Sequence, residues 1–507
     1  MRTVGILLYD EFEALDAYGP YEFLSGNPFM KSHFKVVTIT SDGKPVKIHV
    51  GQQVEAHYSF ESCPHLDVLF IPGGNGCENV LKHQPTMDFV KTRSEKAEFV
   101  WTVCTGSWIL AATGLLDGKR ATSNKMVFAM AKGVRPQVNW IEKARWIEEG
   151  KYWTSSGVSA GMDMIFAAIS KLVSPQAAKN VADAIEYAPH TDASWDPFSE
   201  MYKGTPAKLE VAKPPTKKTI GIFLYDIYEA LDVYGPYELL GCPLLEPFFN
   251  IVTFSRDGKP VKIHVGQTAY VDYSLESCPP LNILFIPGGF GTIRVLYDFE
   301  TLASLKAKAE RAEMVWTVCT GSWILAQTGL LYGKRATSNK MLFSVTSAFK
   351  NIDWVAKARW VRDGKYWTSS GVSAGVHDIV KEELEKGYEA FLKGDVTYIM
   401  KNLASADIPV TVNTPGLSVS GQHKFTEYLA ANQKALAGVS NMKIELMEVK
   451  FHPGNKAEAI LHTNFTKGGK TYDDAKESQI WSYSDAGKLT AMVTEYHDVE
   501  TAKMLLA

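Results

Sequence analysis

The run Trp101-Thr-Val-Cys-Thr-Gly-Ser-Trp-Ile-Leu-Ala111 occurs a second time, without a change, as Trp316–Ala326. In each copy an apolar, strand-like stretch ends at a cysteine, Cys104 or Cys319, and a helical pattern follows. A thiol at such a turn faces unpaired backbone N–H groups and the positive dipole end of the next helix, and both favour the thiolate. The repeated run therefore predicts two cysteine nucleophiles, although a small buried residue that only packs before a helix is the simpler alternative.

The similarity between the two parts of the chain is not limited to the cysteine runs and extends over whole domains. Thr3–Asp10 corresponds to Thr219–Asp226, and Ala14–Glu22 corresponds to Ala230–Glu238. A repeat of this size indicates duplicated domains and not a solenoid. We predict a first copy over 1–202, a Pro/Lys-rich linker over 203–218, a second copy over 219–376 and an unrelated module over 377–507.

The second copy is shortened. After Gly371-Val-Ser-Ala-Gly375 its sequence departs from the first copy, which continues through apolar residues at helical spacing from Ile165 to Tyr187. The pocket of the second copy is therefore predicted to be weaker, or to take a wall from the third module.

Within each copy, short apolar runs alternate with helical segments, which predicts an α/β fold with an open, mostly parallel sheet covered on both faces. In the first copy the predicted strands are Val4–Tyr9, Phe34–Ile39, Val68–Pro72 and Phe99–Val103, and the predicted helices include Tyr21–Leu24 and Ser107–Thr113. Because the chemistry of such sheets collects at the carboxyl ends of the strands, we expect Asp16, Gly73-Gly74 and Cys104 to lie close together.

Asp16 and Asp232 each occur in Ala-Leu-Asp-x-Tyr-Gly-Pro, shortly after the first strand of a copy. A carboxyl group in a semi-dry pocket beside a thiol is a candidate proton donor, or it could accept the proton of the thiol. The alternative is that each aspartate caps a helix that begins near Pro20 or its counterpart.

Other repeated polar groups are candidates for the pocket. The Thr105 or Thr320 amide, with an amide of the neighbouring glycine pair, could stabilise a developing negative charge. The asparagines of the repeated Arg-Ala-Thr-Ser-Asn-Lys-Met could orient a substrate or water, or could only form a turn. The glycines and asparagines concerned are Gly73, Gly74, Gly288, Gly289, Asn124 and Asn339.

Only one histidine is shared by the two copies, His49 and its counterpart His264. A Cys-His pair would require an equivalent histidine near each cysteine. These two lie in a strand-like context, so we predict structural, solvent-facing histidines in preference to catalytic ones.

The remaining cysteines show neither CxxC spacing nor paired histidines. Packing roles are therefore expected, and neither a zinc site nor a disulfide framework is predicted. These residues are Cys63, Cys77, Cys242 and Cys278.

The composition limits the possible partners. Among 507 residues, 53 basic and 56 acidic side chains nearly cancel to a net charge of -3, so no global field recruits nucleic acid or an anionic membrane. No secretory signal and no apolar stretch long enough to cross a bilayer is found in the sequence. We expect a cytoplasmic protein that binds a small-molecule substrate.

Four motifs in series carry a resemblance to a known family: Ala-Leu-Asp-x-Tyr-Gly-Pro-Tyr-Glu, Ile-Pro-Gly-Gly, Val-Cys-Thr-Gly and Gly-Val-Ser-Ala-Gly. In this order they resemble the DJ-1/PfpI (ThiJ) superfamily over about residues 1–200 and 218–376, and within it the isonitrile hydratases. The resemblance implies two flavodoxin-like αβα sandwiches, each with its cysteine on a strained elbow. It also implies that the two copies pack as an internal pseudo-dimer.

The isonitrile hydratase pattern implies specific roles for residues of both copies. It makes Cys104 and Cys319 the nucleophiles, and it adds Asp16, Asp232, Thr105 and Thr320 to the catalytic set. The implied reaction is the addition of water to an isocyanide, which yields an N-substituted formamide and needs no metal or organic cofactor.

Two alternatives remain open. Glyoxalase-type and deglycase-type relatives act on methylglyoxal-like carbonyls, but they generally use a glutamate on the first loop and a histidine after the elbow helix, where this chain has Asp16 and Asn124. The second alternative is a non-catalytic small-molecule sensor or scaffold.

The last module resembles the SnoaL-like branch of the NTF2-like fold, an α+β cone that binds small apolar molecules or dimerises. Helices are predicted first, including one over His423–Leu436, and an antiparallel meander follows. The resemblance implies a possible homodimer through this module. The predicted strands are Lys443–Phe451, Ala457–Phe465, Glu477–Tyr483 and Leu489–Tyr496.

Overall fold

The computed structural model describes residues 1–26, 30–201, 216–241 and 245–371, together with six strands between 409 and 496. The chain forms two compact units, and both repeats belong to the first unit. The predicted linker lies almost entirely outside the described residues. None of the helices in the described ranges has the length and apolar character needed to span a lipid bilayer.

The first repeat is built around a seven-stranded sheet in the order β10-β11-β7-β6-β1-β2-β5. All neighbours in it are parallel except the edge pair β10 and β11. Its central strands are buried along most of their length because helices cover the sheet. The strands of this repeat are β1 Arg2–Leu7, β2 Phe34–Thr40, β3 Val46–Lys47, β4 Gln53–Val54, β5 Tyr58–Ser59, β6 Val68–Ile71, β7 Phe99–Thr102, β8 Arg120–Ala121, β9 Asn139–Trp140, β10 Trp146–Glu149 and β11 Tyr152–Ser155.

The helices of the first repeat pack in two groups, α1 with α6 and α7, and α2 and α3 with α4. Strand order reverses between β1 and β6, because the chain moves outward from β1 to β2 and then returns to the other side of β1. Right-handed crossovers in opposite directions place helices on opposite faces of the sheet. The helices are α1 Ala14–Tyr21, α2 Cys77–Lys82, α3 Gln84–Lys96, α4 Gly106–Ala112, α5 Phe128–Val134, α6 Val158–Leu172, α7 Pro175–Ala184 and α8 Phe198–Met201.

The first helix begins earlier than the sequence pattern predicted. Glu13 is its N-cap and accepts a hydrogen bond from the Leu15 amide at 3.3 Å, so Asp16 lies inside the helix and does not cap it. Pro20 then removes one backbone donor, and the chain continues as a π-helical turn over Glu22–Gly26. The N-cap alternative for Asp16 is therefore wrong.

The second repeat reproduces this sheet in the order β16-β13-β12-β17-β18-β22-β21. The coarse prediction of two tandem α/β domains with largely parallel sheets is confirmed. Its strands are β12 Lys218–Phe223, β13 Phe249–Ser255, β14 Val261–Lys262, β15 Thr268–Ala269, β16 Tyr273–Ser274, β17 Ile283–Ile286, β18 Met314–Thr317, β19 Arg335–Ala336, β20 Asp353–Trp354, β21 Trp360–Asp363 and β22 Tyr366–Ser369. Its helices are α9 Ala230–Gly241, α10 Thr292–Leu296, α11 Phe299–Arg311 and α12 Gly321–Gln327, with a 3₁₀ helix over Phe343–Ala348.

The two repeats pack against each other through equivalent surfaces. Helices α1 and α9 are in contact, and the rings of Tyr18 and Tyr234 stack with centroids 4.4 Å apart. Val54 of β4 pairs with Ala269 of β15, which joins the two hairpins into one four-stranded sheet, β14-β15-β4-β3. The internal pseudo-dimer is thus a pairing of equivalent surfaces, as in a two-fold dimer.

The second unit contains a sheet in the order β24-β23-β28-β27-β26-β25, of which the last four strands form an antiparallel meander. This agrees with the four predicted strands, although β27 begins earlier than predicted. The predicted helix at His423 is wrong at its start, since His423 lies in β24; the rest of that segment lies outside the described residues. The strands are β23 Pro409–Val412, β24 Gly421–Lys424, β25 Val439–His452, β26 Lys456–Lys467, β27 Lys470–Tyr483 and β28 Leu489–Tyr496.

Two candidate active sites

Each cysteine lies on a sharp turn between a strand and a helix. Cys104 joins β7 to α4 with φ of 58°, and Cys319 joins β18 to α12 with φ of 57°. A left-handed conformation costs an L-residue roughly 1–2 kcal/mol, so the surrounding contacts must hold it. The Ser107 and Ser123 hydroxyls donate to the Cys104 carbonyl at 2.9 and 3.0 Å. The expectation of a strained elbow at both cysteines is confirmed.

The helix after the elbow packs very close to the neighbouring strand. A Cβ atom at Gly106 would lie 2.2 Å from the Ile71 carbonyl oxygen, and one at Gly321 would lie 2.2 Å from that of Ile286. Only glycine fits there, so these glycines permit close packing of the helix against the sheet. The thiol is thereby held at the carboxyl edge of the sheet, near the point where strand order reverses.

Asp16 meets the elbow as predicted. Its Oδ2 accepts a hydrogen bond from the Gly73 amide at 2.9 Å, while Oδ1 is buried without a hydrogen-bond partner. Burial raises the pKa of Asp16 well above its ordinary value, and the Gly73 amide and the Cys104 thiol oppose this only in part. Burial therefore favours the neutral, protonated form of Asp16 beside Cys104.

Asp232 has the same arrangement in the second repeat. Its Oδ2 accepts the Gly288 amide at 2.8 Å, and its Oδ1 is again buried without a partner. Burial raises the pKa of Asp232 to about 8, against the opposing effect of the Gly288 amide. Both predicted aspartates thus lie in their sites with one oxygen fixed and the other free.

The surroundings of the two thiols shift their pKa in the direction opposite to the one that the helix dipole suggested. Burial and the neighbouring Asp16 raise the pKa of Cys104 well above its ordinary value, although the Thr105 amide and Asn124 lower it. Burial and Asp232 do the same for Cys319. Burial thus opposes the predicted thiolate, because the loss of water around sulfur disfavours its charged form, and the thiolate state stays a prediction.

The glycine amides that were predicted to stabilise a developing negative charge donate hydrogen bonds to side chains of the protein in this structure. The Gly73 amide donates to Asp16, and the Gly74 amide donates to the Thr105 hydroxyl at 3.0 Å. In the second repeat, the Gly289 amide likewise donates to the Thr320 hydroxyl at 3.0 Å. These amides position the acid and the threonine, and an oxyanion role for them stays a prediction.

The two asparagines differ between the sites. Asn124 Nδ2 lies 3.1 Å from Cys104 Sγ, and its Oδ1 accepts the Met126 amide, so it contacts the thiol and also forms the turn. Asn339 Oδ1 accepts the Leu342 amide at 3.1 Å, and among the described residues no side chain donates a hydrogen bond to Cys319 Sγ.

The second site receives a side chain from the first repeat. Glu186, which follows α7 with φ of 53°, places its carboxylate on the second repeat. Its Oε2 accepts the Ser370 hydroxyl at 2.7 Å and the Gly371 amide at 3.0 Å, and its Oε1 accepts the Lys340 amide at 2.9 Å. The sequence had suggested a wall from the third module, whereas the described wall comes from the first repeat.

The shared histidines lie at the interface between the repeats. The side chains of His49 and His264 are only 11% and 4% exposed, so the prediction that they face solvent is wrong. His49 Nε2 lies 2.8 Å from Glu238 Oε2 of the other repeat, and its Nδ1 lies 3.6 Å from Glu13 Oε2. Each histidine therefore joins the two repeats.

The second histidine cluster is the more buried of the two. His264 Nε2 lies 2.6 Å from Glu22 Oε2 and 3.6 Å from Glu229 Oε2. Burial disfavours protonation of His264, but the two carboxylates outweigh it and raise its pKa to about 9. Each cluster brings one imidazole and two carboxylates within 4.8 Å of one another, a set of ligand types that can also hold a metal ion.

Sequence reasoning did not find these glutamates, although a signal was present. Glu22 and Glu238 end the repeated Ala-Leu-Asp-x-Tyr-Gly-Pro-Tyr-Glu run, and Glu13 and Glu229 precede it in both copies. Their retention in both copies was the available clue. The pairing across repeats required the tertiary structure.

The other described cysteines are buried and free, as expected of packing residues. Cys77 is the nearest to a site, because its thiol donates to the Thr105 carbonyl at 3.3 Å. Burial raises the pKa of Cys77 to about 12, which makes it a poor nucleophile. Cys242 lies outside the described residues.

Comparison with known proteins agrees with this architecture. The DJ-1/PfpI family profile matches residues 2–171 and 218–381. An isonitrile hydratase from Pseudomonas putida is 35% identical over 187 residues, which cover 37% of this chain and 78% of the relative. A deglycase from Pyrococcus abyssi is 30% identical over 162 residues, 31% of this chain and 90% of the relative. The HTH-type transcriptional regulator GbdR of Pseudomonas aeruginosa is 27% identical over 176 residues, 34% of this chain but only 46% of the regulator.

Proposed function

The chain belongs to the DJ-1/PfpI family, and from its two sites we propose a cysteine-dependent hydratase that adds water to an isonitrile and releases an N-substituted formamide. The observation that carries the proposal is the state of Asp16. One of its oxygens is fixed by the Gly73 amide, and the other is buried, without a hydrogen-bond partner, in the pocket of the Cys104 thiol. The proposal therefore assigns an acid and a nucleophile to one site from which water is largely excluded.

The terminal carbon of an isonitrile must accept both a proton and a nucleophile. Asp16, as a neutral acid, donates its proton to this carbon while the Cys104 sulfur bonds to it, and the thiol proton passes to the carboxylate. The product is a thioimidate, in which carbon is bonded to sulfur and hydrogen and is doubly bonded to nitrogen. This step needs a protonated carboxyl and a protonated thiol, and the raised pKa values of both groups support it.

Water completes the reaction. It adds to the thioimidate carbon, nitrogen takes up a proton, and the carbon–sulfur bond then breaks to release the formamide and restore the thiol. One isonitrile and one water give one formamide, so no oxidant or reductant is needed. Asp16 is the acid and base of the pocket for these transfers.

The remaining residues of the proposed set position these groups. Thr105 and Thr320 hold the glycine loops through their hydroxyls, and Asn124 donates toward the sulfur. We assign Asp232 and Cys319 the same chemistry in the second repeat. An oxyanion role for the Gly73, Gly74, Gly288 and Gly289 amides and a substrate-orienting role for Asn339 belong to the same proposal.

The direct test is turnover by the purified full chain. An uncharged alkyl isonitrile is supplied, and the formamide is quantified by mass spectrometry, with the Cys104→Ala/Cys319→Ala double variant as the control. We expect formamide from the wild-type chain and none above background from the variant. Lactate formed from methylglyoxal without any formamide would favour the glyoxalase or deglycase alternative instead. If neither lactate nor formamide were formed, the result would favour a non-catalytic sensor.

We also propose that the last module is an NTF2-like cone that binds a small apolar molecule or joins two chains. The antiparallel meander from β25 to β28 supports this. Light scattering of the full chain, compared with a chain that ends after residue 376, tests the dimer. An unchanged number of chains per particle would argue against it.

A further inference from the structure

The carboxylate of Glu186 occupies a small three-donor site in the second repeat. The donors are the Lys340 amide, the Ser370 hydroxyl and the Gly371 amide, all within 3.0 Å of a carboxylate oxygen. Three convergent donors around one carboxylate form an anion-binding arrangement. We call these three groups the carboxylate nest.

Glu186 reaches the nest because its own segment is anchored. The neighbouring Tyr187 hydroxyl donates to Asp163 Oδ1 at 2.9 Å, and its ring meets Phe23 edge-on at 5.6 Å. A Cβ atom at Gly371 would lie 2.4 Å from the Glu186 carboxyl carbon, so glycine at this position lets the carboxylate approach the backbone.

The first repeat has the same three donors at equivalent positions. The repeated Ser-Asn-Lys and Thr-Ser-Ser-Gly segments place Lys125, Ser156 and Gly157 where the second repeat has Lys340, Ser370 and Gly371. Among the described residues, the Lys125 amide, the Ser156 hydroxyl and the Gly157 amide donate to no group. Gly157 is also the N-cap of the 15-residue helix α6, whose dipole favours an anion there.

This nest, which no described carboxylate fills, adjoins the Cys104 site. The Cys104 amide donates to the Ser156 carbonyl at 2.7 Å, and Asn124, next to Lys125 in the chain, contacts Cys104 Sγ. In the second repeat, burial is the main reason that the pKa of Cys319 is raised, and the Glu186 charge contributes to the same shift. A carboxylate in either nest is therefore close to the thiol.

The duplicated chain explains why, among the described residues, only the nest of the second repeat holds a carboxylate. Glu186 lies at the end of the segment that continues the first repeat, and the second repeat departs from that sequence after Gly375. The second copy accordingly offers no equivalent of Glu186 by sequence. Within the ranges that the structure describes, the first site keeps the three donors without a carboxylate.

We propose that the nest of the first repeat binds the carboxylate of the substrate, so that the Cys104 site takes a small anionic molecule whereas the Cys319 site takes an uncharged one. This inference deepens the proposed function and rests on it for the reacting group, which would be an isonitrile that carries a carboxylate. The recognition of the carboxylate itself depends only on the three donors.

Equilibrium binding tests the inference without turnover. The probe is N-formylglycine, a formamide that bears a carboxylate, and N-formylglycinamide is its uncharged counterpart. Isothermal titration of the full wild-type chain is expected to show one N-formylglycine per chain, bound at least tenfold more tightly than the amide. Equal affinity for the two probes, or no binding of N-formylglycine, overturns the proposal.

Matched variants locate the site. Ser156→Ala should weaken N-formylglycine binding by roughly tenfold, and Ser370→Ala should leave it unchanged because Glu186 already fills that nest. Glu186→Ala empties the second nest and should raise the stoichiometry from one to two. Equal effects of the two serine variants would overturn the proposal, and thermal unfolding of each variant verifies that it folds.

The formamide assay separates the reaction from the binding site. Binding with the expected preference but without formamide production would refute the isonitrile reaction and leave the carboxylate site standing. Formamide production without any preference for the carboxylate probe would refute the nest alone.

Discussion

In the proposed reaction, single side chains carry the acid–base steps, and Asp232 should make the rate depend on pH. Burial raises the pKa of Asp232 from an ordinary 3.8 to about 8, so its acid form predominates below that pH. In the Cys104→Ala chain, where only the second site can react, kcat/KM for an uncharged isonitrile should fall as the pH rises through about 8. The measurement is formamide production between pH 6 and 10.

The matching control is Asp232→Asn in the same background, which should lose at least about 100-fold in kcat/KM and show no such fall. The observed midpoint belongs to the coupled thiol and carboxyl pair and not to one residue alone. Activity that instead increases through pH 8 would contradict an acid role for Asp232, because it would require the carboxylate.

A substitution of Gly73 tests how tightly the residues of the first site are packed. A Cβ atom at this position would lie 2.6 Å from the Thr105 amide nitrogen and 2.7 Å from Cys104 Cβ. Gly73→Ala should therefore lower the free energy of unfolding by roughly 1–3 kcal/mol and abolish turnover at the first site. Urea denaturation and the formamide assay of the Cys319→Ala background measure the two effects.

Gly133→Ala is the control for this substitution. Gly133 lies in helix α5, where no atom lies within 4 Å of the position that a Cβ would take, and an alanine there should stabilise the chain by about 0.5–1 kcal/mol. If Gly73→Ala proved as stable as the wild type with full activity, the close packing described for this turn would be refuted.

The ion pairs at the interface between the repeats should make the stability of the folded chain depend on pH. His264 has its pKa raised on folding from 6.5 to about 9, so its ion pairs stabilise the folded chain fully below pH 6.5 and are lost as the pH rises through 9. His264→Gln should therefore destabilise the chain more at pH 6 than at pH 10, by a difference of roughly 3 kcal/mol. Thermal unfolding at both pH values gives the comparison.

An exposed histidine serves as the reference. His33 lies on the surface of the first repeat, and His33→Gln should lower the unfolding temperature only slightly. A His264→Gln chain that lost the same stability at both pH values would show that the buried cluster is not charged in the folded protein.

Across the whole molecule, the duplication has produced two unequal sites. Asn124 contacts Cys104, whereas Cys319 lacks such a donor among the described residues and has the Glu186 charge nearby. One hydrogen bond to a developing charge is worth about 1.5–3 kcal/mol, or more than tenfold in rate. For an isonitrile that carries a carboxylate, Cys104→Ala should therefore remove roughly nine tenths of the turnover at saturating concentration, and Cys319→Ala only about one tenth.

Rates of formamide production by the two single variants and the wild type decide this. Asn124→Ala in the Cys319→Ala background should bring the first site down to the level of the second. Equal losses from the two cysteine substitutions would contradict the asymmetry.

Much of the architecture could be predicted from the sequence because it depends on local patterns. Apolar runs located the central strands, the repeated motifs showed the duplication, and Asp16 and Cys104 were placed together from the rule that parallel strands end at one edge. The start of helix α1 was missed because the Glu13 cap and the tolerated Pro20 outweighed the usual signal of a Gly-Pro break.

The sequence by itself determined the two α/β repeats, the elbows and the pairing of each cysteine with an aspartate, since these follow from periodicity and from motifs within one repeat. Only the tertiary structure decided what crosses between repeats: the His49 and His264 clusters, the raised pKa of the thiols, and the delivery of Glu186 to the second site. The physical reason is that burial and charge depend on which distant segments exclude water from the same space. Glu186 and Ser370 are separated by 184 positions in the chain, and no local pattern records that they meet.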